Sequence, residues 1–187
     1  AYLACRQETD EGPLDVLREK VRRLSGLFKL EFIFPTDKPF DALFDEAVHR
    51  MASRNWLDAC GATLKPCSDE SKTELNFMAV LLLPFIEAYL AVAQKVVDFE
   101  GKSETLKSML NILMQGLRSS YYEGSLVAFE SQNEATLKNA FLVFGELGIL
   151  KSAKNKPQLL PEGRELLNEY SELLKACHGA TRATLAG

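Results

Sequence analysis

The stretch Leu75–Ala93, LNFMAVLLLPFIEAYLAVA, is apolar at nearly every position and is interrupted by Pro84 and Glu87. A helix needs about 20 consecutive apolar residues to cross a bilayer, so the run is long enough to pose that question. Glu87 near its centre argues against a span, because a carboxylate at mid-bilayer is costly and is kept mainly for transport or proton relay. Asn76 and Pro84 weaken the membrane reading further. What remains is a long helix buried around most of its circumference, at the centre of a helical domain. A charge inside such a helix must be compensated. Glu87 is therefore expected to be a buried, paired carboxylate, meeting an arginine, a lysine or a helix N-terminus.

Periodicity sets the remaining elements. Pro13 suits a first helical turn, and Leu14, Leu17, Val21, Leu24 and Phe28 follow at helical spacing, with Arg18, Lys20, Arg22 and Arg23 mostly off that stripe and facing water. Leu30, Phe32 and Phe34 then alternate with Glu31 and Ile33, which predicts a short strand stopped by Pro35. A helix carrying Leu43, Phe44, Ala47, Val48, Met51 and Ala52 closes at Trp56 and Leu57, and Ala59 to Pro66 reads as a hairpin or loop. Ser71-Lys72-Thr73-Glu74 has capping-box form and predicts one helix from there to Phe99, kinked at Pro84. Further helices are expected from Ser103 to Ser119, from the box Ser131-Gln132-Asn133-Glu134 to near Gly148, and from Pro161 onward. A lysine-rich loop lies between the last two.

One pattern occurs twice: a helix, a bulky pair, a polar hairpin-like stretch and a proline. It covers Phe44–Leu57 into Ala59–Pro66, and Leu137–Leu150 into Lys151–Pro161. The expected fold is mostly α with small β-hairpins, a helical domain with two winged-helix-like helix–hairpin units around a long buried helix. The expected organisation is a leader or linker over 1–12, a single helical domain over 13–176 with subunits 13–70 and 71–176, and a flexible tail over 177–187. The first residue, Ala1, and the small-residue stretch Gly179–Gly187 both read as the ends of a piece of something larger.

With 187 residues, 47% hydrophobic and 26% charged, the chain suffices for one full core or two small ones sharing it. Its net charge of −4 lacks the basic footprint that nucleic-acid binding requires. Cys5, Cys60, Cys67 and Cys177 form no CxxC pair, so reduced thiols are expected, with a Cys60–Cys67 bridge as the alternative. His49 and His178 are too few for a histidine-based zinc site, and no metal or cofactor is expected.

No phosphate loop, GxSxG elbow or HExxH is present. His49 reads as partly buried or at an interface. Neither histidine heads an HxxxxD dyad, since His49 is followed at that spacing by Arg54 and His178 by Ala183. Ser119 and Ser120 beside Tyr121 and Tyr122 read as a helix end packed by aromatics. Lys151, Lys154 and Lys156, with Arg164 beyond them, read first as a solvated wing and otherwise as the candidate contacts for an anion, an anionic membrane surface or a partner.

Two segments carry a family resemblance. FKLEFIFPTDKPFD, Phe28 to Asp41, resembles the stretch that leads out of the catalytic domain of glycerol-3-phosphate acyltransferases. LLPFIEAYLAVAQ, Leu82 to Gln94, resembles a helix of the same C-terminal region, shared with dihydroxyacetone-phosphate acyltransferases. The resemblance spans roughly residues 14 to 176. It implies a non-catalytic C-terminal domain of a membrane-associated enzyme that acylates the sn-1 hydroxyl of glycerol 3-phosphate from acyl-CoA, the first step of glycerophospholipid synthesis. The catalytic HxxxxD and the substrate sites would lie in a preceding domain of the same polypeptide, so no catalytic residue is carried over. This chain would support that domain and reach the membrane through the parent protein, at the mitochondrial outer membrane in animals. Phe32, Phe34, Phe40, Phe85 and Tyr89 are the candidates for an apolar docking surface. The alternative is a tandem winged-helix-like module binding a protein partner or nucleic acid through its hairpins and lysines.

Overall fold

The computed structural model describes residues 14–33, 35, 37–60, 63–102 and 104–186. Pro13, Phe34, Ser103, Cys5 and the 1–12 leader lie outside them. The described chain is mostly helical with two small antiparallel hairpins, in the order α1 (Leu14–Leu27), α2 (Phe40–Ser53), β1 (Leu57–Cys60), β2 (Thr63–Pro66), α3 (Asp69–Val80), α4 (Leu83–Asp98), α5 (Leu106–Tyr122), a 3-10 turn (Phe129–Gln132), α6 (Glu134–Glu146), β3 (Leu150–Lys151), β4 (Gln158–Leu159) and α7 (Gly163–Ala186). It divides into two compact units, Ala1–Leu82 with Gly179–Gly187, and Leu83–His178. The division falls at Leu82, inside the apolar run, rather than at residue 70.

Pro84 decides that point. In one continuous helix its ring would collide with the carbonyl of Val80 and its missing N–H would leave that carbonyl unpaired. The chain instead ends α3 at Val80 and restarts at Leu83, placing Pro84 in the first turn of α4, where no intrahelical N–H is needed. The expected single kinked helix is thus two helices. The start of α3 also differs from the expected box. Ser68 is the cap, accepting the Ser71 N–H at 3.2 Å, while the Ser71 hydroxyl donates to the Asn55 carbonyl at 2.8 Å.

Both helix–hairpin junctions have one construction. At the end of α2 the Asn55 N–H bonds the Ala52 carbonyl and the Trp56 N–H bonds that of Met51. At the end of α6 the Gly148 N–H bonds Gly145 and the Ile149 N–H bonds Phe144. These are paired Schellman closures, and they need a left-handed residue, supplied by Asn55 at φ 56° and Gly148 at φ 72°. The first strand starts two residues later in each case. Leu57 then pairs with Pro66, and Leu150 with Leu159, each second-unit residue standing 93 positions after its first-unit counterpart. Each unit thus holds helix, helix, hairpin and helix in order: α1, α2, β1–β2, α3, and α5, α6, β3–β4, α7.

The first unit's core is Leu17, Phe44, Leu57, Leu64, Leu75 and Ala79, flanked by Leu14, Val21, Phe40, Val48 and Met51. Across its α1–α2 seam Arg18 reaches Asp45 at 2.6 Å and Asp41 at 3.4 Å, and Arg22 reaches Asp41 at 2.8 Å. Their guanidinium carbons lie 4.5 Å from the ring centres of Phe44 and Phe40. Arg18, expected to face water, is instead half-buried, while Arg22 is exposed as expected; both tie the two helices together. The second unit is cored by Tyr89, Phe141, Phe144, Leu137, Leu167 and Leu174, all with almost no exposed surface, and Tyr89 meets Phe144 edge-on at 6.2 Å.

Other expectations need correction. Residues 28–32 form turns and a bend, not a strand, and Leu30, Phe32 and Ile33 are exposed. A period-2 pattern stays a strand only with a partner to complete its hydrogen bonds. Residues 177–186 continue α7. His49 is exposed, and Cys67 is a free exposed thiol, which removes the Cys60–Cys67 bridge.

Two outcomes follow for stability. A Cβ on Gly163 would stand 2.6 Å from Ile149 Cα and 2.7 Å from its carbonyl oxygen. Backbone cannot yield cheaply there, so Gly163→Ala is expected to cost about 2–3 kcal/mol in urea unfolding. Second, hydrogen bonding from Arg22 holds the Asp41 carboxyl below its ordinary value of 3.8. A carboxyl depressed in the folded state stabilises above its unfolded value and loses that stabilisation as pH falls through the folded one. The stability difference between wild type and Asp41→Asn should therefore be present above pH 3.8 and shrink progressively as pH falls below it. A constant difference would place the effect outside the ion pair.

Candidate functional site

Of the two carboxylates that the sequence gives α4, Glu87 is buried and Asp98 exposed, and the second unit is arranged around the buried one. Glu87 follows Pro84 by one turn, on a helix that is buried around most of its circumference, with Leu83, Ile86 and Val92 among its other buried residues. Its side chain has no exposed surface. One oxygen, Oε1, accepts the Val127 N–H at 2.9 Å and lies 3.1 Å from His178 Nε2; the other, Oε2, accepts the Ala128 N–H at 3.1 Å. Both carboxylate oxygens are engaged by groups 40 or more positions away. The partners are a histidine and two backbone amides rather than an arginine or lysine.

Those amides are delivered by the end of α5. After Tyr122 the chain reverses at Gly124, and the Ser125 and Leu126 N–H groups both bond the Ser120 carbonyl. Residues 127 and 128 are left with N–H groups pointing out of any helix or sheet, and Glu87 takes both. The 3-10 turn follows at once and packs on α4 and α5. Tyr121 closes the region edge-on against Phe129 at 5.4 Å and Tyr122 at 5.9 Å. His178 arrives on α7, in residues expected as a tail.

A cavity of about 230 Å³ opens beside the carboxylate, lined by Glu87, Gln94, Lys95, Ser120, His178 and apolar residues of α4 and α5. A carboxylate beside a histidine can orient a general base. Here, however, its oxygens are already shared with two backbone amides, and the geometry is that of a clamp on the 125–128 segment and on α7. Among the described residues no cluster of three or more His, Cys, Asp or Glu is arranged to hold a metal ion.

The lysines separate. Lys154 and Lys156 line a second, larger pocket of about 580 Å³ together with Lys107 and Lys138, two residues that sequence spacing did not single out. Lys151 lies on β3 and does not line it. Arg164 is ion-paired with Glu100, which holds that carboxyl below its ordinary value. Of the candidate docking residues, Tyr89 is fully buried and Phe40 packs on the first unit's core, while Phe32 is exposed. The large exposed apolar side chains sharing one helix face are Phe77, Met78 and Leu81 on α3 and just past its end.

No single described helix is long and apolar enough to cross a membrane. Residues 1–153 match the family described as the glycerol-3-phosphate acyltransferase C-terminal region. No curated protein matches the chain.

Glu87→Leu checks the clamp. Replacing a buried charge by an apolar group of similar size is often neutral or stabilising when the charge does little. Here it strands two backbone donors, at about 1–3 kcal/mol each. A net loss of about 3 kcal/mol in urea unfolding is expected, with a smaller loss for Glu87→Gln, which keeps an acceptor. An unchanged midpoint for Glu87→Leu would remove the clamp.

Proposed function

The chain belongs to the glycerol-3-phosphate acyltransferase C-terminal family, and from that premise we propose that it is the non-catalytic C-terminal domain of a membrane-associated glycerol-3-phosphate O-acyltransferase. The catalytic domain of the same polypeptide holds acyl-CoA and glycerol 3-phosphate and transfers the acyl group to the sn-1 hydroxyl, initiating phospholipid synthesis. This chain packs on that domain and supports it. Membrane association, with the mitochondrial outer membrane favoured, comes through the parent protein.

The family match carries the reading, because it runs through the first helix–hairpin unit and most of the second. The disposition of the histidines agrees with it. His49 stands exposed on α2 with Arg54 at the position a dyad carboxylate would need, and His178 is engaged by the clamped Glu87. Phe77, Met78 and Leu81 are exposed by 63%, 42% and 55%, enough apolar surface on one helix face to suit burial against a neighbouring domain.

The test uses the full-length acyltransferase carrying this chain. Phe77→Glu with Leu81→Glu is expected to lower its specific activity about tenfold, as loss of central apolar contacts does at interfaces. The same pair in the isolated chain should leave the unfolding midpoint unchanged, since both side chains face water there. Full activity in the double variant would overturn the docking role of this face.

A further inference from the structure

The two units differ at the seam between their first and second helices. In the first unit Arg18 crosses from α1 to Asp41 and Asp45 on α2 and covers Phe44. The positions 93 residues later are Asn111, Glu134 and Lys138. Asn111 is too short to repeat the span, and Glu134 is taken up by Lys138 of its own helix at 2.6 Å. The seam that is bridged in the first unit is therefore open in the second, and the pocket of about 580 Å³ lies there.

Its walls have a definite chemistry. Lys107 and Lys138 stand on α5 and α6, while Lys154 and Lys156 come from the β3–β4 turn. That turn is built, not loose: the Asn155 and Lys156 N–H groups bond the Ser152 carbonyl, and the Asn155 carbonyl accepts the Leu106 N–H at 2.8 Å. The last bond fixes the turn to the start of α5. Lys107, Lys154 and Lys156 are exposed and have no acidic partner among the described residues. Leu106 and Leu110 supply an apolar wall. Glu134 also lines the cavity and offsets Lys138, which leaves Lys107, Lys154 and Lys156 as a local excess of positive charge in a chain of net charge −4.

We infer that this pocket binds a ligand bearing a phosphate group, held by Lys107, Lys154 and Lys156, with its carbon portion against Leu106. Lysine suits such a ligand as a compact point charge with three donors. The inference rests on the second unit's geometry and not on the proposed acyltransferase role. A free phosphate ester and a lipid headgroup present the same chemistry to the lysines.

Two probes on the 187-residue chain separate those sources: calorimetric titration with inorganic pyrophosphate, and co-flotation with phosphatidylcholine vesicles with and without phosphatidic acid. Binding of either probe is expected, weakening with salt, and Lys154→Glu with Lys156→Glu should weaken it at least about tenfold. Lys65→Glu, on β2 in the other unit, should leave it unchanged. Pyrophosphate binding assigns a free ligand; binding to phosphatidic acid vesicles alone assigns a headgroup. The inference is overturned if neither probe binds, if the pocket variant binds as well as wild type, or if Lys65→Glu weakens binding equally.

Discussion

A carboxylate removed wholly from water costs several kcal/mol unless hydrogen bonds replace its hydration. In the second unit that replacement comes from two places far from Glu87 in the chain: the adjacent amides of Val127 and Ala128, and His178. Each reciprocates, because the two amides are themselves backbone donors left without a helix or sheet partner by the turn that ends α5. Glu87 can be buried only if residues 124–128 follow this path and α7 lies where His178 reaches it. That mutual requirement determines which arrangement of α4, α5, the 3-10 turn and α7 is stable. Generic apolar packing around Tyr89 and Phe144 then fills the space.

The helix–hairpin repeat solves a different problem. A two-residue ladder such as β3–β4 has little stability of its own. Here the strand start is dictated by the helix before it, through a Schellman closure with the same hydrogen-bond pattern in both copies. Leu57 and Leu150, the first strand residues, are both buried, so the hairpin is anchored by its root. The turn ends are then free to diverge. In the first copy charge pairs and ring-stacked arginines fill the helix seam; in the second that seam is left open and basic.

How much of this was legible in the chain depended on the range of the cause. Local causes are readable in the apolar stripes of α1, α2 and α5 and in the hairpin-like stretches Ala59–Pro66 and Lys151–Pro161, although the strands start earlier, at Leu57 and Leu150. Where two local signals competed, the reading slipped. Ser68 and Ser71 both have capping chemistry, and only the Asn55 carbonyl, which draws off the Ser71 hydroxyl, decides between them. The alternation from Leu30 to Phe34 predicted a strand, yet alternation specifies a face and not a partner. Pro84 was read as a kink because a kink and a break look alike from sequence; the collision with Val80 makes it a break. That Glu87 needed compensation was plain, but its partners were not, since no local pattern links it to two amides and a histidine 40 to 91 positions on. Lys154 and Lys156 were singled out as a charge run, whereas Lys107 and Lys138 join them only through the α5–α6 seam.

The unequal seams also bear on what each copy of the repeat presents at its surface. The second unit is held firmly at its centre, where a misplaced segment would strand a buried charge. The exposed apolar face of α3 and the lysine pocket differ in chemistry, one suited to a dry contact and the other to an anion. They are also carried by different copies of the repeat. Because the Schellman closure and the hairpin register are retained in both copies, each surface could change without disturbing the cores. Divergence at Arg18 and Asn111, equivalent positions in the two copies, illustrates the freedom: one residue closes a seam by charge pairing, and the other leaves room for a ligand.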